Sequence, residues 1–134
     1  MSTPAEETPF NPHAFPVDLV DAQRELAAAY AALHTLQKRL PWSREPHEGL
    51  PEVTVRGQKS PGRDPSPGWA PTDAAEFDGL MSRLRELAAF VQGHGHWKVC
   101  RDNGADMVAA RQALKRAPDA VSAALERADV TAAA

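Results

Sequence analysis

The stretch VDLVDAQRELAAAYAALHTLQKRL, residues 17–40, decides the fold because it carries the most regular apolar pattern in the chain. Spacings of three and four residues place its apolar side chains on one face of a helix, as in helices that pack at a shallow angle. We therefore predict a long amphipathic helix over residues 17–40, ended by Pro41. The side chains of this stripe are Leu19, Ala22, Leu26, Ala29, Leu33, Leu36 and Leu40.

Two further segments have helical patterns. Asp73 and Glu76 follow Pro71 with the spacing of a capping box, which predicts a second helix from about Thr72 to Gln92. A third helix is expected after the RDNG segment, capped by Asp102 or Asn103. Pro118 suits the first position of a short fourth helix through Val121 and Leu125, or a kinked continuation of the third helix. The apolar face of the second helix comprises Phe77, Leu80, Leu84, Leu87 and Val91.

Residues 41–71 separate the first two helices and hold seven of the 12 prolines. A connection of this length is uncommon inside a compact domain, so we interpret it as either a flexible excursion or a functional loop. Val53 and Val55 flank Thr54 in alternation, which permits one short extended piece and no sheet.

The composition favours a single helical domain with a thin core. Among 134 residues there are 25 alanines, no isoleucine and only seven phenylalanines and tryptophans. Alanine suits helices but buries little apolar area. We predict an all-α fold, a three-helix bundle with a short C-terminal fourth helix and a Pro/Gly-rich loop between helices one and two. The expected division is a flexible N-terminal arm at 1–16, the helical bundle at 17–128 with its loop at 41–71, and a C-terminal tail at 129–134.

Charge and cysteine content indicate a cytoplasmic protein. The net charge of −3 argues against general binding to nucleic acid or to membrane surfaces. One cysteine excludes an internal disulfide framework. The N-terminal segment has acidic residues where a signal peptide has basic ones, and no apolar run is long enough to span a bilayer.

The segment QGHGHWKVC, residues 92–100, has two interpretations. In the structural one, Gly93 and Gly95 adopt left-handed conformations that end the second helix, a histidine meets the last carbonyls, and Trp97 anchors the chain. In the alternative, His94 and His96 project from an extended segment and bind a metal together with Cys100. The spacing is not a strong zinc signature, so we favour the structural interpretation and expect no cofactor.

Nothing in the sequence predicts an enzyme, since it lacks G-x-S-x-G, Walker-type, G-x-G-x-x-G and H-E-x-x-H motifs. Residues 83–116 carry seven basic against three acidic residues, which leaves nucleic-acid contact as an alternative function. The basic residues are Arg83, Arg85, Lys98, Arg101, Arg111, Lys115 and Arg116.

Several segments over residues 26–117 resemble small, functionally uncharacterised helical proteins of high-GC actinobacteria. These are LPWSREPHEG, PGWAPTDAAEFDGLMSRLRELAAFV, HGHW and MVAARQALKRA. His94 and Trp97 match the pattern of that family, whereas Gly95, His96 and Cys100 depart from it. The resemblance implies no activity, and the departures weaken the metal alternative.

A non-catalytic accessory or regulatory module that binds another protein, or a second copy of itself, is the function that these patterns favour. A thin core and an extended apolar stripe are expected of a chain that needs a partner. Two surfaces are candidates. One is the stripe, through Leu19, Leu26, Leu33 and Leu40. The other is a groove at Trp42 and Trp69, since tryptophan is enriched at binding hot spots. The structural alternative, which we favour for the tryptophans, is that Trp42, Trp69 and Trp97 lie just outside helix ends and cover the open end of a thin bundle.

Overall fold

The computed structural model describes residues 9–120. Within them the chain is mostly helical, with one small two-stranded sheet. The predicted fourth helix past residue 120, the start of the predicted arm at 1–8 and the predicted tail at 129–134 lie outside the described residues. In chain order the elements are α1 (Val17–Arg39), β1 (Val53–Val55), β2 (Gln58–Ser60), α2 (Pro71–Gln92), α3 (Gly95–Asp102), α4 (Met107–Arg116) and a 3-10 turn at Pro118–Ala120.

The two long helices confirm the predictions made from periodicity to within one residue. Helix α1 ends at Arg39 rather than Leu40, just before the helix-breaking Pro41. Asp18 lies in its first turn and Lys38 and Arg39 in its last, where each charge is favourable to the helix dipole. Helix α2 starts at Pro71, a residue type suited to the first helical position.

The chain is mostly helical, as predicted, but its described residues do not form a simple three-helix bundle. The chain forms a separate eight-residue helix, α3, where an irregular connection was expected, and the following helix, α4, has only ten residues. Asp106 caps α4, accepting a hydrogen bond from the Ala109 amide at 3.1 Å, in place of Asp102 or Asn103. Only Gly93 and His94 separate α2 from α3, so this connection is too short for an extended segment.

The described chain divides into two compact units. Unit one comprises the described residues up to Ala31 together with those from Arg83 onward, and unit two is Ala32–Ser82. Within residues 9–120, unit one holds most of the buried apolar side chains, contributed by α1, α2, α3, α4 and the 3-10 turn. They are Leu19, Ala22, Leu26, Ala29, Leu84, Leu87, Val91, Trp97, Cys100, Ala110, Leu114 and Ala120.

Unit two contains a long antiparallel hairpin, residues 44–69, that we call the ribbon. All its pairs share one register, since the residue number in the second strand falls by as much as the number in the first strand rises. The prediction of one extended piece without a sheet is wrong. The pairs are Arg44 with Trp69, His47 with Ser66, Leu50 with Arg63, and β1 with β2 through Val53–Ser60, Thr54–Lys59 and Val55–Gln58.

Two local features allow the ribbon to form. Its tip is a two-residue turn in which both Arg56 (φ 52°) and Gly57 (φ 76°) have positive φ, as a type I′ turn requires. Near the base Gly49 has φ +99°, and a Cβ there would lie 2.7 Å from the Arg63 carbonyl oxygen. Only glycine allows the two strands to approach so closely at that position.

None of the described helices is both long and apolar enough to cross a membrane.

Candidate functional site

His94 is the residue that begins helix α3. Its backbone is extended (φ −63°, ψ 142°), and its Nδ1 accepts a hydrogen bond from the His96 amide at 3.0 Å. Nε2 lies 3.0 Å from both carboxylate oxygens of Asp18. Because Nδ1 accepts, the proton of the neutral ring resides on Nε2 and is donated to Asp18. The ring thus caps one helix and ties it to the start of another.

This contact predicts an unusual titration of Asp18. The hydrogen bond from His94 holds the pKa of this carboxyl below its ordinary value of 3.8. A lowered carboxyl pKa stabilises the folded state above pH 3.8, and the contribution is lost as pH falls through the folded-state pKa. NMR titration is expected to show Asp18 titrating below 3.8 in the native protein and close to it in His94→Ala. An Asp18 pKa unchanged by this substitution would contradict the assignment.

His96 and Cys100 lie one turn apart in α3, and both are buried. Nε2 of His96 is 2.9 Å from the Pro12 carbonyl oxygen and 3.3 Å from the Cys100 sulfur. Phe15 packs edge-on against His96, with 5.4 Å between ring centroids. Burial raises the pKa of the Cys100 thiol, the opposite of what an activated nucleophile needs. The segment before α1 is thus joined to α3 through His96, and Cys100 lies against the His96 ring.

The metal alternative finds no support in this geometry. The segment from Gly95 onward is helical, so His94 and His96 do not project together from an extended segment, and that expectation is wrong. The Nε2 atom of each histidine forms a hydrogen bond within the chain and is therefore not free to bind a metal. Among residues 9–120 no group of three or more histidine, cysteine, aspartate or glutamate side chains is arranged to hold a metal ion.

Trp97 follows the end of α2 but lies inside α3 and is 2% exposed, so the prediction that it lies just outside a helix is wrong. Its indole N–H donates to the carbonyl of Val91 in the last turn of α2. The expected left-handed conformations at Gly93 and Gly95 are also absent, since neither is among the positive-φ glycines of the described chain. The side chain of Trp97, rather than that of a histidine, donates to a carbonyl at the end of α2.

The leucine stripe is covered within the single chain. In unit one Leu19 is fully buried and Leu26 is 9% exposed; in unit two Leu33 is also 9% exposed. Leu40 alone among the four proposed partner-binding leucines is half-buried rather than buried. The stripe is therefore an internal packing seam in this structure.

Trp42 and Trp69 hold the ribbon at its base. The Trp69 indole N–H donates to the Pro41 carbonyl at 2.8 Å, and its ring packs 4.9 Å from that of Phe77. The Trp42 indole N–H donates to the Asp64 carbonyl at 2.7 Å. Trp42 remains 38% exposed, whereas Trp69 is half-buried. Of the two tryptophans of the predicted groove, Trp42 is the more exposed.

Arginines reinforce the ribbon base, and the sequence analysis missed them. Arg44 forms a two-pronged ion pair with Asp78 at 2.7 and 2.8 Å and lies over the Trp69 ring. This carboxylate raises the pKa of Arg44 above its usual value. Arg63 lies 5.1 Å from the centroid of Trp42. Nothing in the local sequence marks these pairs, which depend on the register of the ribbon.

The basic residues of 83–116 do not form one free surface. Arg83 pairs with Glu25 at 2.7 Å, and Lys98 pairs with Asp102 at the same distance. Arg111 lies over the Trp97 ring. The remaining Arg85, Arg101, Lys115 and Arg116 are spread over three helices, so no specific observation favours a nucleic-acid interface.

Comparison with known proteins places the chain in a family whose function is unknown. Neither a curated protein nor a solved structure matches it. One family model, described as a domain of unknown function (DUF8825), matches residues 18–117. That match extends from the first turn of α1 to the residue after α4. Because it covers most of the chain, the protein belongs to the DUF8825 family of domains of unknown function.

Proposed function

We propose that this protein is a non-catalytic module that binds another protein through the exposed part of its ribbon. The observation that carries the proposal is the exposure of every residue from 50 to 65, although the strands keep one hydrogen-bonded register. A two-stranded hairpin is marginally stable by itself. An ordered hairpin with no face against a core has its apolar side chains available to a partner.

The side chains on the ribbon favour a protein partner. Leu50, Val53 and Val55 are 51%, 47% and 60% exposed, and Trp42 lies beside the base with 38% exposed. Exposed apolar side chains that cluster on one element mark interaction sites more often than scattered ones do. The partner surface that fits is therefore apolar at its centre.

The charge of the ribbon argues against nucleic acid. Residues 44–69 carry four basic and four acidic side chains, so no positive excess is present to attract phosphates. Glu52 and Lys59 also pair with each other at 3.2 Å. The neutral ribbon is consistent with the apolar contacts of a regulatory protein complex, which we place in the cytoplasm and, from the resemblance above, in actinobacteria.

Site-specific photocrosslinking in the native host tests the proposal. A benzoylphenylalanine replacing Val53 is expected to give one predominant covalent adduct with another protein. The control replaces Val108, which is 70% exposed on α4, and is expected to give none. Equal amounts of adduct from both positions would contradict the proposal. An adduct with a second copy of the chain would show that the ribbon mediates self-assembly instead.

The isolated partner then allows a quantitative test within one strand. Val53 and Val55 share one face of β1, whereas Thr54 lies on the other. Val53→Asp combined with Val55→Asp is expected to weaken binding by at least about tenfold, as loss of central apolar contacts does. Thr54→Asp is expected to change it much less. Since all three positions are exposed, circular dichroism should show unchanged folding in both variants.

A further inference from the structure

A second candidate site lies within unit one, apart from the ribbon. It is a cleft of about 440 Å³ bordered by α1, α2, α3 and α4. Buried apolar side chains form its floor: Leu26 from α1, Val91 from α2, Trp97 from α3 and Leu114 from α4. This volume is within the range of small-molecule pockets, which are apolar with a few polar groups that orient the ligand.

The rim of the cleft is cationic in an otherwise acidic chain. Arg111 and Lys115 line it together with Gln23, Gln92 and Tyr30, and no aspartate or glutamate is among its lining residues. Another cleft of the same unit differs, since it is lined by Asp18, Asp21, Glu25 and Glu86 around Arg83. The first cleft is therefore complementary to a negative ligand.

Arg111 is positioned as an anion-binding side chain. Its guanidinium carbon lies 4.7 Å from the centroid of Trp97, so the ring of the cleft floor holds it at the rim. Within residues 9–120 no carboxylate pairs with Arg111 or Lys115. A guanidinium offers five N–H donors whose geometry matches a carboxylate or phosphate.

We infer that this cleft binds a small amphipathic anion, whose apolar body lies on Leu26, Val91 and Leu114 and whose carboxylate is held by Arg111 and Lys115. The apolar floor disfavours a fully hydrated inorganic anion, because such an ion gains nothing from it. The cationic rim disfavours an amphipathic cation. An apolar chain ending in one carboxylate satisfies both surfaces.

Decanoate is the probe for this inference, and the indole N–H resonances of the three tryptophans report where it binds. Trp97 is at the cleft floor, whereas Trp42 and Trp69 belong to unit two and serve as internal controls. Addition of decanoate is expected to shift the Trp97 indole resonance in a saturable manner and leave the other two unchanged. Decanol should bind about tenfold more weakly, since it lacks the charged group. Decyltrimethylammonium should not shift Trp97.

Charge-neutral variants test the rim. Arg111→Gln with Lys115→Gln is expected to weaken decanoate binding by about tenfold or more. The matched control, Arg101→Gln with Arg116→Gln, removes two exposed positive charges of the same unit outside the cleft and should leave affinity within about twofold. If loss of the Arg111 contact unfolds the double variant, Lys115→Gln alone carries the test, because this side chain is exposed.

A substitution that fills the cleft gives an independent test. Ala27→Leu at its wall is expected to abolish the Trp97 shift without changing any charge. The inference is overturned if decanol binds as tightly as decanoate, if the glutamine variants bind as the native protein does, or if the native protein shows no Trp97 shift up to about 1 mM decanoate, the limit of weak binding.

Discussion

Trp97→Ala is expected to lower the free energy of unfolding by about 3–5 kcal/mol, the usual cost of removing a buried aromatic side chain. Trp97 is 2% exposed, and its ring contacts both Phe15 and Arg111. Its removal leaves a cavity at the point where α3 meets α2, and it leaves the Val91 carbonyl without its indole donor. Urea denaturation followed by far-UV circular dichroism measures the change.

Two comparison variants separate packing from hydrogen bonding at this position. Trp97→Phe keeps much of the apolar area but removes the indole N–H, so a loss of about 1–2 kcal/mol is expected. Trp42→Ala removes a ring that is 38% exposed and should cost clearly less than Trp97→Ala. If Trp42→Ala and Trp97→Ala were equally destabilising, Trp97 would not be a core residue.

Periodicity was sufficient to predict the two long helices because their pattern repeats over many turns. In α1 the buried residues keep spacings of three and four from Leu19 to Leu36, and a proline follows at position 41. Such a pattern averages over local exceptions. Periodicity does not predict whether the stripe is covered by the same chain or by a second one, because an internal seam and an intermolecular seam have the same residue spacing. Only the three-dimensional packing distinguishes them.

Helix α3 was missed because its signals are weak at short range. Gly93 and Gly95 resemble a helix end, and histidine is not among the preferred capping residues. The cap forms because Asp18, distant in sequence, orients the ring of His94. A tertiary contact thus decides a local structure, which no window of neighbouring residues contains.

The ribbon was missed for a related reason. Its seven flanking and internal prolines suggested an irregular loop, since proline removes ladder hydrogen bonds. The paired backbone hydrogen bonds at His47–Ser66 and Leu50–Arg63 lie between those prolines and are spaced three residues apart. Alternation of apolar and polar residues with period two, the usual sequence signal of a strand, is present only at β1. The one usable signal was Gly57 after Arg56, between two short β-prone pieces.

The candidate sites could be predicted only as residue types. The sequence predicts Trp42 as a contact residue, and its side chain is 38% exposed beside the ribbon. The sequence indicates only that Arg111 and Lys115 belong to a general basic region, whereas the structure places them on the rim of one cleft whose floor includes Trp97. Three residues from two different helices form this arrangement. They are brought together by helix packing, which sequence periodicity does not specify.

Leu19→Glu is expected to lower the free energy of unfolding by more than about 3 kcal/mol, because it buries a carboxylate without a partner. Leu19 is fully buried in unit one, at the start of the stripe. Val17→Glu is the matched control: it places the same carboxylate in the same first turn, where residue 17 is 75% exposed. The helix dipole favours both substitutions similarly, so the difference between them measures burial.

Light scattering on the same pair of variants decides whether the stripe is internal. A seam within one chain predicts a monomeric native protein and a Leu19→Glu variant that loses helical circular dichroism. A seam between two chains predicts a native dimer that the same substitution converts into a folded monomer. A native dimer that becomes a folded monomer would contradict the packing in unit one. Leu19 is covered there by its own chain, so the departure of a second chain would expose no further apolar surface at this side chain.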